Sequence, residues 1–245
     1  MPKRFVLTAS EFPDLPRFYA GLDLAETLTV ASQQLHGTIN PQGTLRTAVR
    51  LAVHILPGAE HAGISVIERG PRAESTRRTV AWTDDVVRSA ESGHAVDAQP
   101  PYWADLWTAP VVRMEDSEAD DGGRALSALG LRSALSLRLR ADKRRLTVLT
   151  AYARKPRVFD EMATRIGRLF TAHVSLALDA ASEREQLTEA MRTRDLIGQA
   201  TGILMERLDM DAAEAFESLV RASQRENIKL RDLARRIVDS HGTGS

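Results

Sequence analysis

At 245 residues the chain can form one large domain or two small ones, and either could bury a core. Lys plus Arg equals Asp plus Glu at 33 each, so no global field draws the protein to nucleic acid or membrane. The absence of cysteine excludes disulfides, thiolate metal sites, thiol nucleophiles and a chromophore covalently attached through Cys.

Residues 1–20 contain Pro2, Pro13 and Pro16 and read as an N-terminal arm lacking the apolar core of a secretory signal. No window approaches the ~18 unbroken apolar residues of a membrane helix, so a soluble cytoplasmic protein is expected. Leu24, Leu28, Ala31 and Leu35 recur at three and four and predict a first helix over 22–35, ended by Gly37. Asn40-Pro41 opens a second helix, with Leu45, Ala48, Val49, Ala52, Val53 and Leu56 on one face. Residues 62–68 and 78–82 are short and β-branched and predict an antiparallel pair. A short helix over 84–92, a strand over 109–113 and a helix over 120–129 follow. Residues 133–140 alternate strictly, and 145–153 are their partner across a charged turn. Without a βαβ rhythm, this is an α+β domain built on one antiparallel sheet with flanking helices, over 21–181.

From Phe159 to about Arg207 the chain is helical and free of proline. Periodicity alone allows one connecting helix, able to pair with another as a coiled coil, or two helices bent near Ser182. Asp211 and Glu214 form an Asp-flavoured capping box, Asn227 breaks the next helix, and Leu230 to Val238 define a last one. Residues 182–241 are therefore a compact unit of three helices.

Asp195-Leu-Ile-Gly-Gln-Ala-Thr-Gly-Ile-Leu-Met-Glu-Arg207 closely resembles the opening signature of ANTAR domains. The likeness runs on through Asp211 to Asn227 and Lys229 to Val238. Thr201 departs from it, since many members carry Lys there. Leu51 to Val66 resembles the second helix and first strand of GAF domains, and Lys155 to Glu161 the turn that launches their closing helix. The chain thus looks like a GAF-ANTAR regulator, an arrangement familiar from actinobacteria. The resemblance implies a dimer whose ANTAR part binds paired RNA hairpins in nascent transcripts and prevents transcription termination. It implies that the GAF part dimerises and often binds a small molecule; no DNA or membrane partner is implied.

An RNA surface needs cations for phosphates, and stacking or polar edges for loop bases. From Glu183 onward ten Arg/Lys face twelve Asp/Glu, a net of −2, so distribution must carry the argument. Arg221, Arg225, Lys229 and Arg231 meet only Glu226 between them, and Gln199, Ser223 and Asn227 are candidate base-edge groups. Spacing alone would leave these as solvated helix faces; the ANTAR resemblance points to RNA, and adds Thr201 and Gly202. Ala200 and Gly202 suit close packing against another helix, or close approach of an RNA backbone.

In the sensor part, Trp82, Trp103 and Trp107 are candidate walls of a small-molecule pocket, with Arg113 and Asp97 as polar groups; packing in the core is the plainer role. The six histidines lack metal-ligand spacing, and no nucleophile-base pair or phosphate-cradling loop stands out. A regulator, not an enzyme, is expected. The alternative is a dimeric protein-interaction scaffold that does not bind RNA.

Overall fold

The computed structural model describes residues 21–70, 75–92 and 102–242. The expected arm over 1–20, together with His94 and Asp97, lies outside them. α1 (Gly21–His36) buries Leu28, Ala31 and Leu35, the face its spacing predicts. α2 (Pro41–Ile55) begins where the Asn40 side chain accepts a hydrogen bond from the Gly43 amide at 2.8 Å. Pro41 suits that first turn because its missing amide would have no partner there.

The sheet contains β1 (His61–Arg69), β2 (Ser75–Trp82), β3 (Val111–Met114), β4 (Ser133–Ala141) and β5 (Arg145–Ala153). Their order is β2-β1-β5-β4-β3, every pairing antiparallel. Side chains alternate across it. Ile64, Leu135, Leu137, Leu149 and Ala151 meet α1, α2 and the start of α5 (Glu161–Leu208) in the larger core. Ile67, Met114, Ala134, Leu146 and Val148 lie on the other face. Val87 and Ala90 of α3 (Asp85–Ser92) cover them, as do Leu106 from a 3-10 turn over Tyr102–Trp107 and Leu126 from α4 (Arg124–Ser127).

Two expectations change in detail. The helix predicted over 120–129 is a 3-10 turn (Asp121–Gly123) followed by the single turn α4. Asp120 accepts from the Gly122 amide at 2.9 Å, and consecutive glycines disfavour a regular helix there. The choice left open near Ser182 resolves to one continuous α5. The Ser182 hydroxyl donates back to the Leu178 carbonyl at 2.7 Å, so it extends the helix instead of capping a new one. Asp160 starts α5 by accepting from the Ala163 amide at 2.8 Å.

The described chain divides into two compact units after Ser182, with α5 contributing to both. In the second, α6 (Ala212–Glu226) starts at the complete Asp211–Glu214 capping box and ends at Asn227, which is left-handed at φ 53°. α7 (Leu230–Gly242) follows. Ala200, Leu219, Leu233 and Ala234 form this unit's buried centre, with Leu196, Ile197 and Leu204 beside them. Among the described residues no helix is long and apolar enough to cross a membrane.

Asp84 launches α3, accepting from the Val86 and Val87 amides at 3.0 and 3.2 Å, and it meets His61 Nδ1 at 2.6 Å. Partial burial pushes its carboxyl up, but the His61 hydrogen bond, the Val87 amide and the His61 charge outweigh this and hold it below the usual carboxylate range. Asp84→Ala should lower stability by about 1 kcal/mol at neutral pH, read by urea unfolding. A depressed carboxyl stabilises the fold above its unfolded pKa and loses that effect as pH falls through the folded one. The gap between wild type and variant should therefore narrow below about pH 4.

Candidate functional site

Within the second unit the predicted RNA-contact residues fall into distinct roles. Gln199 and Gly202 are exposed on α5. A Cβ built on Gly202, or on Gly198 one turn earlier, would meet nothing within 4 Å. Close packing within this chain therefore does not explain Gly202, whereas Ala200 is fully buried against α6 and α7. The Thr201 hydroxyl donates to the Ile197 carbonyl at 2.8 Å, and Ser223 donates to the Ile228 carbonyl at 2.7 Å to close the end of α6. Both hydroxyls are engaged with backbone.

The four predicted cations do not form one cluster. Arg221 donates to Glu217 at 3.2 Å and to Ser218 at 3.1 Å on its own helix. Arg225 and Lys229 are exposed on either side of the Asn227 turn, and neither has an ion pair among the described residues. Arg231 turns to α5, with Glu189 at 3.4 Å and Asp232 at 3.5 Å. There it lines a cleft with Arg192 and Arg235. Those two arginines escaped sequence reasoning because they lie 43 positions apart, although Arg231 and Arg235 have the one-turn spacing that marks a shared helix face.

In the sensor unit the predicted pocket walls are separated. Trp82 lies opposite Gly63 near the start of β1, is 40% exposed, and has Arg88 6.0 Å from its ring. Trp107 is at the other end of that strand, with Arg69 4.4 Å over its ring. Gly63 and Arg69 are six steps apart on β1, roughly 20 Å at strand rise. Arg113 pairs with Leu135 and alternates with Met114, so it lies on the opposite face of the sheet from Trp107, bound to Glu115 at 3.3 Å. The backbone of Trp103 belongs to the 3-10 turn, and its side chain is outside the described residues. Trp82, Trp107 and Arg113 do not line one pocket.

The polar groups that do converge on the α3 face are different. Glu91 of α3 is buried there. It accepts from the Tyr152 hydroxyl at 3.0 Å and from the Ser65 hydroxyl, and pairs with Arg77 at 3.2 Å. Ser136 and Thr150, 3.0 Å apart, extend this buried polar floor. Gly63 makes the arrangement possible, since a Cβ there would lie 2.5 Å from both Glu91 Oε1 and Val87 Cγ1. A glycine inside an otherwise β-branched strand was the available signal for a close approach, though not for what approaches.

Removing one partner of a buried ion pair leaves the other charge uncompensated. Glu91→Ala should therefore destabilise the fold by about 3 kcal/mol in urea unfolding. Glu91→Met combined with Arg77→Leu should recover most of that loss, because both charges then go together.

Set beside known proteins, the chain matches the GAF domain model over residues 38–179 and the ANTAR domain model over residues 185–238. No curated protein matches it in sequence. Among solved structures it is similar to a bacteriophytochrome from the photosynthetic bacterium R. palustris, at 12% identity and a TM-score of 0.55. That match covers 84% of this chain and 47% of the other. A Stigmatella aurantiaca phytochrome photosensory core module aligns at 11% identity and TM-score 0.54, covering 82% of this chain and 45% of that one. The chain thus spans about half the length of these phytochrome structures. The free methionine-R-sulfoxide reductase of Neisseria meningitidis aligns at 16% identity and TM-score 0.50, covering 67% of this chain and 95% of that enzyme. At such identities these likenesses establish the fold alone. With a matched domain across more than half its length and a second one after it, the chain belongs to the GAF domain family and carries an ANTAR domain at its C-terminal end.

Proposed function

We propose that this protein is a signal-responsive RNA-binding regulator of the cytoplasm, and not an enzyme, which prevents transcription termination by gripping paired hairpins in nascent transcripts. The observation that carries the reading is the α6–α7 turn of the ANTAR unit. Arg225 and Lys229 stand exposed there without an acidic partner among the described residues, around the left-handed Asn227. A neutral protein with a local pair of uncompensated cations can hold phosphates without a global field. Asn227 and Gln199 add exposed amides able to read the edges of unpaired loop bases.

Two hairpins call for two grips, and α5 supports a homodimer. Its exposed face carries Met162, Leu169 and Leu176 at seven-residue spacing, 56%, 50% and 62% exposed. That is the repeat of a coiled-coil seam. A ligand at the GAF unit would act by favouring one dimer geometry over another, and it must bind the two differently to do so. The alternative, a dimeric protein-interaction scaffold, is favoured by the C-terminal net charge of −2.

Crosslinking in the source cell followed by sequencing should recover transcripts with paired hairpins. Binding of such a transcript should weaken steeply with salt, whereas protein docking through apolar faces would show little dependence. Arg221→Ala, Arg225→Ala and Lys229→Ala together should reduce affinity at least about tenfold and flatten the log–log salt slope by about 2, with the unfolding temperature nearly unchanged. Unchanged affinity would place the RNA elsewhere. Leu169→Glu with Leu176→Glu should yield monomers in sedimentation at concentrations where the wild type is dimeric; a dimer that persists would rule out this seam.

A further inference from the structure

A second feature of the ANTAR unit has the chemistry of an anion site. Between α5 and α7 an open cleft of about 140 Å³ is lined by Glu189, Arg192, Thr193, Leu196, Arg231 and Arg235. Three guanidinium groups and one carboxylate line it, and with Asp232 beside Arg231 the surplus is one positive charge. Arg231 is fixed by Glu189 at 3.4 Å and Asp232 at 3.5 Å. Arg192 and Arg235 have no acidic partner among the described residues. Like charges gathered in a groove raise one another's energy until a counter-charge enters, and the planar guanidinium fork suits phosphate oxygens.

Thr193 supplies an independent sign. Four other α5 threonines, Thr164, Thr171, Thr188 and Thr201, donate their hydroxyls back to the helix carbonyls at 2.8–3.1 Å. Thr193 makes no such bond among the described residues, and its side chain lines the cleft. It is a neutral donor in a cleft lined by three arginines, and a hydroxyl can donate to a phosphate oxygen.

We infer that the Arg192–Arg231–Arg235 cleft holds backbone phosphates of the bound RNA. It extends the interface from the α6–α7 turn to the groove between α5 and α7. The inference rests on the RNA-binding reading above and adds a site to it. Arg231 changes place within that reading: it acts with Arg192 and Arg235, not with Arg221 and Arg225. Phosphate contacts of this kind set affinity and register and carry no sequence preference.

The test uses the full-length protein and the transcript recovered by crosslinking. Arg192→Gln with Arg235→Gln should weaken binding about tenfold or more at moderate salt and flatten the salt slope by about 1.4, two single-strand phosphate contacts. Scrambling the loop sequence of the transcript should leave that ratio unchanged. Arg192→Lys with Arg235→Lys keeps both charges and should restore the slope. If the glutamine pair binds with wild-type affinity and slope while the α6–α7 triple variant is impaired, the cleft inference falls and the RNA-binding reading stands. If the lysine pair loses as much slope as the glutamine pair, the effect is structural and the inference again falls. If the wild type shows no salt-dependent binding to any recovered transcript, the RNA-binding reading fails, and the cleft assignment goes with it.

Discussion

One helix must satisfy two cores. α5 gives Ile166, Phe170, Val174 and Ala177 to the sheet-based unit, and Leu196, Ala200 and Leu204 to the C-terminal one. Forty-eight residues of unbroken backbone hydrogen bonding join the two sets. Between them, from Glu183 to Met191, every side chain is exposed. That stretch is held by helix propensity and by the packed turns on each side rather than by burial of its own.

The sheet divides its labour by face. The face toward α1, α2 and α5 carries the larger cluster of buried apolar residues. The α3 face mixes a smaller apolar cluster with Glu91, Arg77, Tyr152, Ser65, Ser136 and Thr150. Buried polar groups are tolerated only where they find partners, and here the partners come from β1, β2, β5 and α3 together. The Asp84 cap matters to this network because it fixes the start of the helix that delivers Glu91 two turns later.

Much of this was legible from residue patterns. The alternating leucines of β4, the capping box at Asp211 and the break at Asn227 each follow from a local rule, and all three stand in the structure. Local rules gave out where side chains from distant segments meet. Nothing in Ser65, Arg77, Glu91 or Tyr152 taken singly foretells their convergence, because the sheet register brings them together. Trp82 and Trp107 misled for the same reason. Proximity of type in the sequence suggested one wall, whereas pairing placed Trp82 and Trp107 at opposite ends of β1. Arg231 shows the subtler case. Arg221 and Arg225, the cations it was grouped with, lie on α6, but Arg231 is on α7 and pairs with Glu189 of α5.

Gly198 and Gly202 have a mechanical consequence. They lie one turn apart on α5, and no neighbouring atom of this chain fills the space a side chain would take. Relative to alanine, the two together weaken the helix by roughly 2 kcal/mol. Amide protons around them should accordingly exchange with solvent sooner than those near Phe170 or Val174, where the same helix is pinned beneath the sheet. The longest described helix thus lies beneath the sheet near one end and carries two open glycine positions near the other.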